Sequence, residues 1–196
     1  SRAGIFPWFE PGGPILWWSP DPRLVLFPGE LRVSRRLART VRSGRFEVRF
    51  DSAFDRVVRA CAETPRGHED GTWITPEMQD AYARLHRLGL ARSVEAWRDG
   101  ELVGGVYGVL AGRCFCGESM FHAETDASKV ALVALVERLA DEGFDMLDCQ
   151  VRSEHLMSLG AREVPRDEYL MRLGRGYADA APRAGARRGA PSRLAR

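Results

Sequence analysis

At 196 residues, with 44% hydrophobic and 29% charged side chains, the chain has enough apolar material for one or two packed domains and is not wholly disordered. A net charge of +2 excludes a uniformly basic or acidic coat, and no apolar run approaches the roughly 20 residues of a membrane span. Cys61, Cys114, Cys116 and Cys149 have neither CxxC metal spacing nor disulfide-scaffold density, so they read as buried small hydrophobes in a reducing, cytoplasmic interior.

The first segment carries Gly4-Ile5-Phe6-Pro7-Trp8-Phe9 and then Pro14-Ile15-Leu16-Trp17-Trp18-Ser19-Pro20-Asp21-Pro22-Arg23, placing three of the five tryptophans among prolines. Such a rigid aromatic platform serves either as core packing or as a stacking surface for a base, the latter worth roughly 1–3 kcal/mol per base. The start at Ser1 has no initiator Met and no signal-peptide core, which reads as a fragment or processed form lacking a front segment. Residues 23–27 alternate as a short strand. Ser34 then caps a helix over 35–42 whose arginines, Arg35, Arg39 and Arg42, share one face. Lys129 is the only lysine among 29 basic residues. Arginine's planar fork suits phosphate oxygens, but a biased base composition in the gene would produce the same excess.

Residues 45–50 alternate as a strand, 52–61 read as a helix, and 63–71 form a polar loop. Thr75-Pro76-Glu77 starts a helix that runs to Leu88, before Gly89. Residues 91–97 and 101–110 alternate around Asp99-Gly100, a strong hairpin signal. A third strand spans 113–116 and gives way to a loop at Gly117. Ser128 opens a long amphipathic helix ending at Glu142 and Gly143. The strand 145–150, a short helix near His155, a strand at 162–164 and a final helix over 167–173 follow, with a disordered tail from Gly174.

A hairpin, a third strand, a long helix and a further strand make an order that resembles an acetyltransferase-like core. The expected fold class is α+β: a small N-terminal domain over 1–70 without its front segment, a catalytic GNAT-like mixed-sheet domain over 71–173, and the tail over 174–196. A coenzyme-A enzyme would carry a glycine-rich pyrophosphate loop before the long helix. Glu124-Thr125-Asp126-Ala127-Ser128-Lys129 stands there instead, acidic and without glycine, which disfavours acetyl-CoA chemistry.

Asp148 and Gln150, two apart on a strand, point to one face and can act as one unit. Glu118 is costly to bury without a cation, so it is a cation-binding group, a surface carboxylate or the partner of an internal arginine. His68, His86, His122 and His155 lack paired metal spacing, and Ser119 lacks a nucleophile-elbow setting. Lys129 faces either a phosphate or solvent.

Gly4-Ile5-Phe6-Pro7-Trp8-Phe9, Trp17-Trp18-Ser19-Pro20-Asp21-Pro22-Arg23, Gly71-Thr72-Trp73-Ile74-Thr75, Phe115-Cys116-Gly117-Glu118-Ser119-Met120-Phe121 and Asp148-Cys149-Gln150 together resemble the leucyl/phenylalanyl-tRNA–protein transferase family, over residues 4–173. The resemblance implies transfer of leucine or phenylalanine, with methionine a further donor, from aminoacyl-tRNA to proteins whose N-terminus is arginine or lysine, marking them for degradation. It implies no metal, cofactor or membrane partner. Trp8 and Trp73 then flank the terminal adenosine. Val106, Phe115, Met120, Leu135 and Leu147 form the aminoacyl pocket, with Val106 and Leu135 standing where relatives carry larger Met and Phe. Glu118 recognises the acceptor cation, Arg35, Arg39 and Arg42 meet tRNA phosphates, and Asp148 with Gln150 form the catalytic pair. Two other classes are an acetyltransferase-like amine acyltransferase and a non-catalytic RNA-binding module.

Overall fold

A computed structural model describes residues 3–9, 13–65 and 72–178. A short hairpin pairs β1 (Phe6–Pro7) with β2 (Trp17–Trp18). The remaining strands are β3 (Arg23–Leu26), β4 (Glu47–Phe50), β5 (Ala91–Arg98), β6 (Glu101–Ala111), β7 (Cys114–His122), β8 (Met146–Gln150) and β9 (Arg162–Val164). They form one sheet in the order β4-β5-β6-β7-β8-β3-β9. All its neighbours are antiparallel except β7 and β8, whose parallel pairing is bridged by the long helix α4 (Ala127–Asp141). This is the mixed sheet of an α+β fold.

Both faces of the sheet are covered, so its central strands are apolar on alternate sides rather than on one. Val106 faces a core shared with α4 and α1 (Arg35–Arg42), while its neighbour Tyr107 faces a core built with α2 (Phe54–Glu63) and α3 (Pro76–Arg87). Further along the second face, Val25 and Met146 pack with Tyr169 and Leu173 of α6 (Arg166–Ala178). Helix α4 is buried almost all round, which explains its weak amphipathicity. Ser34 caps α1 by accepting from the Leu37 N–H, and Thr75 caps α3 through the Met78 N–H, as their sequence signals require. Ser153 does the same for α5 (Glu154–Ser158).

The fold departs from the sequence reading in four places. Strand β7 does not stop at Cys116 but continues through Gly117 to His122, because Tyr107 pairs with Ser119 and Gly108 with Gly117, leaving Glu118 as the extra residue of a bulge. Helix α6 passes Gly174 and Gly176 to reach Ala178. The close approach of Gly176 to the Arg113 backbone explains why packing there outweighs helix propensity. Strands β3 and β4, from the segment assigned to a small first domain, lie inside the same sheet as β5 to β8, so a boundary at residue 70 does not separate two sheets. Trp17 and Trp18, in the aromatic platform for which core packing is one of the two readings, are 59% and 46% exposed. The loop over 66–71, His68 and the tail beyond 178 lie outside the described residues.

Gly104 of β6 lets the first turn of α4 approach the sheet, since a Cβ there would sit 2.8 Å from the Ala127 carbonyl carbon and 2.9 Å from the Ser128 nitrogen. Backbone cannot step aside as a flexible side chain can. Gly104→Ala is expected to destabilise the protein by about 1–3 kcal/mol in urea unfolding, the usual cost of overpacking.

Candidate active site

The registered pairs between β7 and β8 end at Cys116 and Asp148. Immediately beyond, Gly117, Glu118, Ser119 and Met120 on one strand and Leu147, Asp148, Cys149 and Gln150 on the other line a cavity of about 240 Å³. Phe6, Pro7 and Trp8 of the first hairpin, Trp73 before α3, Val106 of β6, Leu132 of α4, and Val151 and Leu156 complete it. The site therefore draws on segments spread from residue 6 to residue 156.

Its polar end is organised by one carboxylate. Asp148, 1% exposed, accepts from Arg23 Nε and Nη2 at 2.8 Å each and from the Tyr169 hydroxyl at 2.9 Å. Its Oδ1 also accepts from the Gln150 backbone N–H at 2.9 Å. Burial works against the Arg23 charge, but the paired carboxylate overrides it and raises the guanidinium above its ordinary value. Gln150 stands at φ 69°, a left-handed conformation that a non-glycine residue adopts only under constraint, and its Nε2 donates to the Gly117 carbonyl at 3.0 Å.

This changes the sequence reading of the pair. Four donors occupy the Asp148 oxygens, and one of them is the Gln150 backbone N–H, so the two residues meet through the Gln150 backbone. Gln150 lines the cavity; its amide N–H groups serve the Gly117 carbonyl and Glu118, which leaves the amide oxygen as its acceptor.

Glu118, pushed into place by the β7 bulge, accepts from the Tyr82 hydroxyl at 2.9 Å. Burial raises its carboxyl to about 7, helped by the nearby Asp148 charge and opposed by hydrogen bonds from Tyr82 and Gln150. It is neither a solvated surface carboxylate nor the partner of an arginine in the described ion pairs.

Trp8 and Trp73 both line the cavity. Trp73 meets Tyr82 edge-on at 6.3 Å, and the Trp8 carbonyl accepts from the Trp18 indole N–H at 2.8 Å. Val106, Met120 and Leu147 are in the cavity wall. Phe115 and Leu135 are not: both point into the core between sheet and α4. Leu132, one helical turn before Leu135, supplies the wall instead. The helix phase that separates these two is set by how α4 rolls on the sheet, which periodicity cannot register in a helix apolar all round.

Arg35, Arg39 and Arg42 are exposed on α1, away from the cavity wall. Before α4, Glu124 pairs with Arg45 and Arg98, and Asp126 with Arg36 and Lys129. Lys129 thus has a carboxylate partner. Sequence reasoning missed Phe6, Leu132, Cys149, Val151 and Leu156 in the wall, and Arg23 and Tyr169 behind it. Nothing local marks Arg23 or Tyr169 as neighbours of Asp148.

Among the described residues no group of His, Cys, Asp and Glu is placed to hold a metal ion, and no helix is long and apolar enough to cross a membrane. A mixed sheet parted over an apolar cavity, with an amide, a carboxyl and two indoles in its lining, makes a site that can hold an apolar group beside polar and aromatic ones. A family model described as leucyl/phenylalanyl-tRNA protein transferase matches residues 25–174, and the model of that family's N-terminal domain matches residues 2–21. The chain belongs to this family.

Its similarity to curated members is high. It is 60% identical over 172 residues to the leucyl/phenylalanyl-tRNA–protein transferase of Syntrophobacter fumaroxidans, covering 88% of this chain and 74% of the relative. It is 61% identical over 172 residues to that of Aromatoleum aromaticum, covering 88% and 72%. A GCN5-related N-acetyltransferase-like protein from Streptococcus suis superposes with a TM-score of 0.43 and 12% identity, covering 83% of this chain and 60% of that one.

The Glu118 shift has a consequence for stability. Because the folded state raises this carboxyl from 4.5 to about 7, folding takes up a proton between those values. Its contribution is fully present below about 4.5 and is lost as pH rises through about 7. The melting temperature of the wild type is expected to fall relative to Glu118→Gln across that window; a gap independent of pH would contradict the assignment.

Proposed function

We propose that the chain transfers leucine or phenylalanine from aminoacyl-tRNA to the α-amine of polypeptides beginning with arginine or lysine, in the cytoplasm. The observation that carries this reading is the meeting, in one cavity, of two indoles, an apolar wall and the Gln150–Glu118 polar end. Trp8 and Trp73 hold the terminal adenosine, while Val106, Met120, Leu132 and Leu147 receive the aminoacyl side chain. Glu118, when ionised, meets the acceptor's cationic side chain. Arg35, Arg39 and Arg42 extend contact to the acceptor-stem phosphates.

An aminoacyl ester is already activated, so the reaction needs alignment more than a protein nucleophile. The acceptor amine attacks the ester carbonyl carbon, the new C–N bond forms, and the bond to the ribose oxygen breaks. The proton leaving nitrogen ends on that ribose oxygen, relayed by a ribose hydroxyl, because a glutamine amide is too weak a base to keep it. Gln150 holds the attacking nitrogen by hydrogen bonding. The acidic, arginine-paired residues Glu124 and Asp126 stand where a coenzyme-A pyrophosphate would need backbone amides and positive charge, which favours the tRNA substrate over an acetyl carrier.

The direct test is transfer of labelled leucine from leucyl-tRNA to a peptide starting with arginine, with an N-acetylated peptide as control. Transfer to both peptides, or to neither, would refute the proposal. Trp8→Ala and Trp73→Ala are each expected to weaken aminoacyl-tRNA binding by about 1–3 kcal/mol. Gln150→Ala should lower the turnover rate with binding preserved, and Glu118→Gln should erase the preference for arginine or lysine over neutral N-termini, as read by competition between peptides.

A further inference from the structure

Two buried polar side chains, Arg23 and Tyr169, stand behind Asp148 and outside the cavity wall. The Arg23 guanidinium lies between the rings of Phe6 and Tyr169, 4.8 and 4.7 Å from their centroids, with its edge against both Asp148 oxygens. Tyr169 donates to Oδ2, and Arg23 occupies both oxygens. Oδ1 is thereby turned to the Gln150 N–H, the bond that secures a residue at φ 69°.

Stability alone explains this arrangement poorly. Buried ion pairs are often matched or bettered by apolar residues of similar volume. Here the pair also leaves Arg23 Nη1 buried without a hydrogen-bond partner among the described residues, at 1% exposure of the whole side chain's residue. What the pair does provide is a carboxylate held by four hydrogen bonds, directly behind a left-handed residue of the cavity.

The geometry points to Arg23 and Tyr169 as positioning residues for the transfer step: they clamp the Asp148 carboxylate in the one orientation that keeps Gln150 left-handed and its amide aimed into the cavity. Phe6 rests on the same guanidinium and directly precedes Pro7 and Trp8, so the clamp also ties the indole wall to Gln150. The inference rests on the transferase reading for what Gln150 does; the clamp itself is testable without it.

Tyr169→Phe keeps the ring over Arg23 and deletes one hydrogen bond. It is expected to lower kcat about tenfold while KM for aminoacyl-tRNA and for the acceptor peptide stays within about twofold. Arg23→Lys should fall further, because a point charge does not reproduce the two-pronged bond. In both variants, hydrogen exchange at the Gln150 backbone amide is expected to quicken about tenfold while the amides of α4 keep their protection. Wild-type kcat with unchanged Gln150 exchange would overturn the inference, as would a loss of protection shared equally by α4. Should the wild type transfer nothing, the proposed function falls, and the Gln150 exchange still decides the clamp.

Discussion

The ion pair between Arg23 and Asp148 is the constraint on which the rest of the site depends. Two opposite charges removed from water repay their desolvation only with near-ideal geometry and further hydrogen bonds. The bidentate contact, the Tyr169 hydroxyl and the Gln150 N–H meet that demand. In doing so they join residues 23, 148 and 169, which belong to three separate elements, at the point where the sheet parts.

That parting creates the cavity. Strands β7 and β8 run parallel for three registered pairs, and a bulge then turns Glu118 inward instead of leaving it on the alternating pattern of a regular strand. The same irregularity that breaks the ladder places a carboxyl, stabilised by Tyr82, beside the Gln150 amide. Apolar side chains from β6, α4 and β8 form much of the wall, and Phe6, Pro7 and Trp8 of the first hairpin complete it. The arrangement suits a reaction in which the substrate ester brings its own activation. Such an enzyme has only to align two molecules, bind their charges and keep the reacting amine in place.

Most helices and strands were legible locally, because their signals are local: Ser34 and Thr75 as caps, Asp99-Gly100 between alternating runs, Gly143 after α4. The strand over 114–122 was not, since Gly117 reads as a loop unless Gly108 opposite it is known to make room. Phe115 and Leu135 illustrate the same limit among the pocket residues. Each has the right size and polarity for the pocket, and only the roll of α4 and the pleat of β7 turn both into the core.

By itself, the sequence determined the family, the order of the elements and the residue types available to the site, through motifs whose length makes chance agreement improbable. Tertiary structure alone decided which of those side chains meet: that Asp148 is spent on Arg23 and Tyr169, that Glu118 lies on a bulge, and that Leu132 rather than Leu135 lines the cavity. The physical reason is that burial, hydrogen-bond saturation and strand register are properties of neighbours distant in the chain. The side-chain partners of Asp148 lie 125 and 21 residues away, beyond the reach of any local pattern.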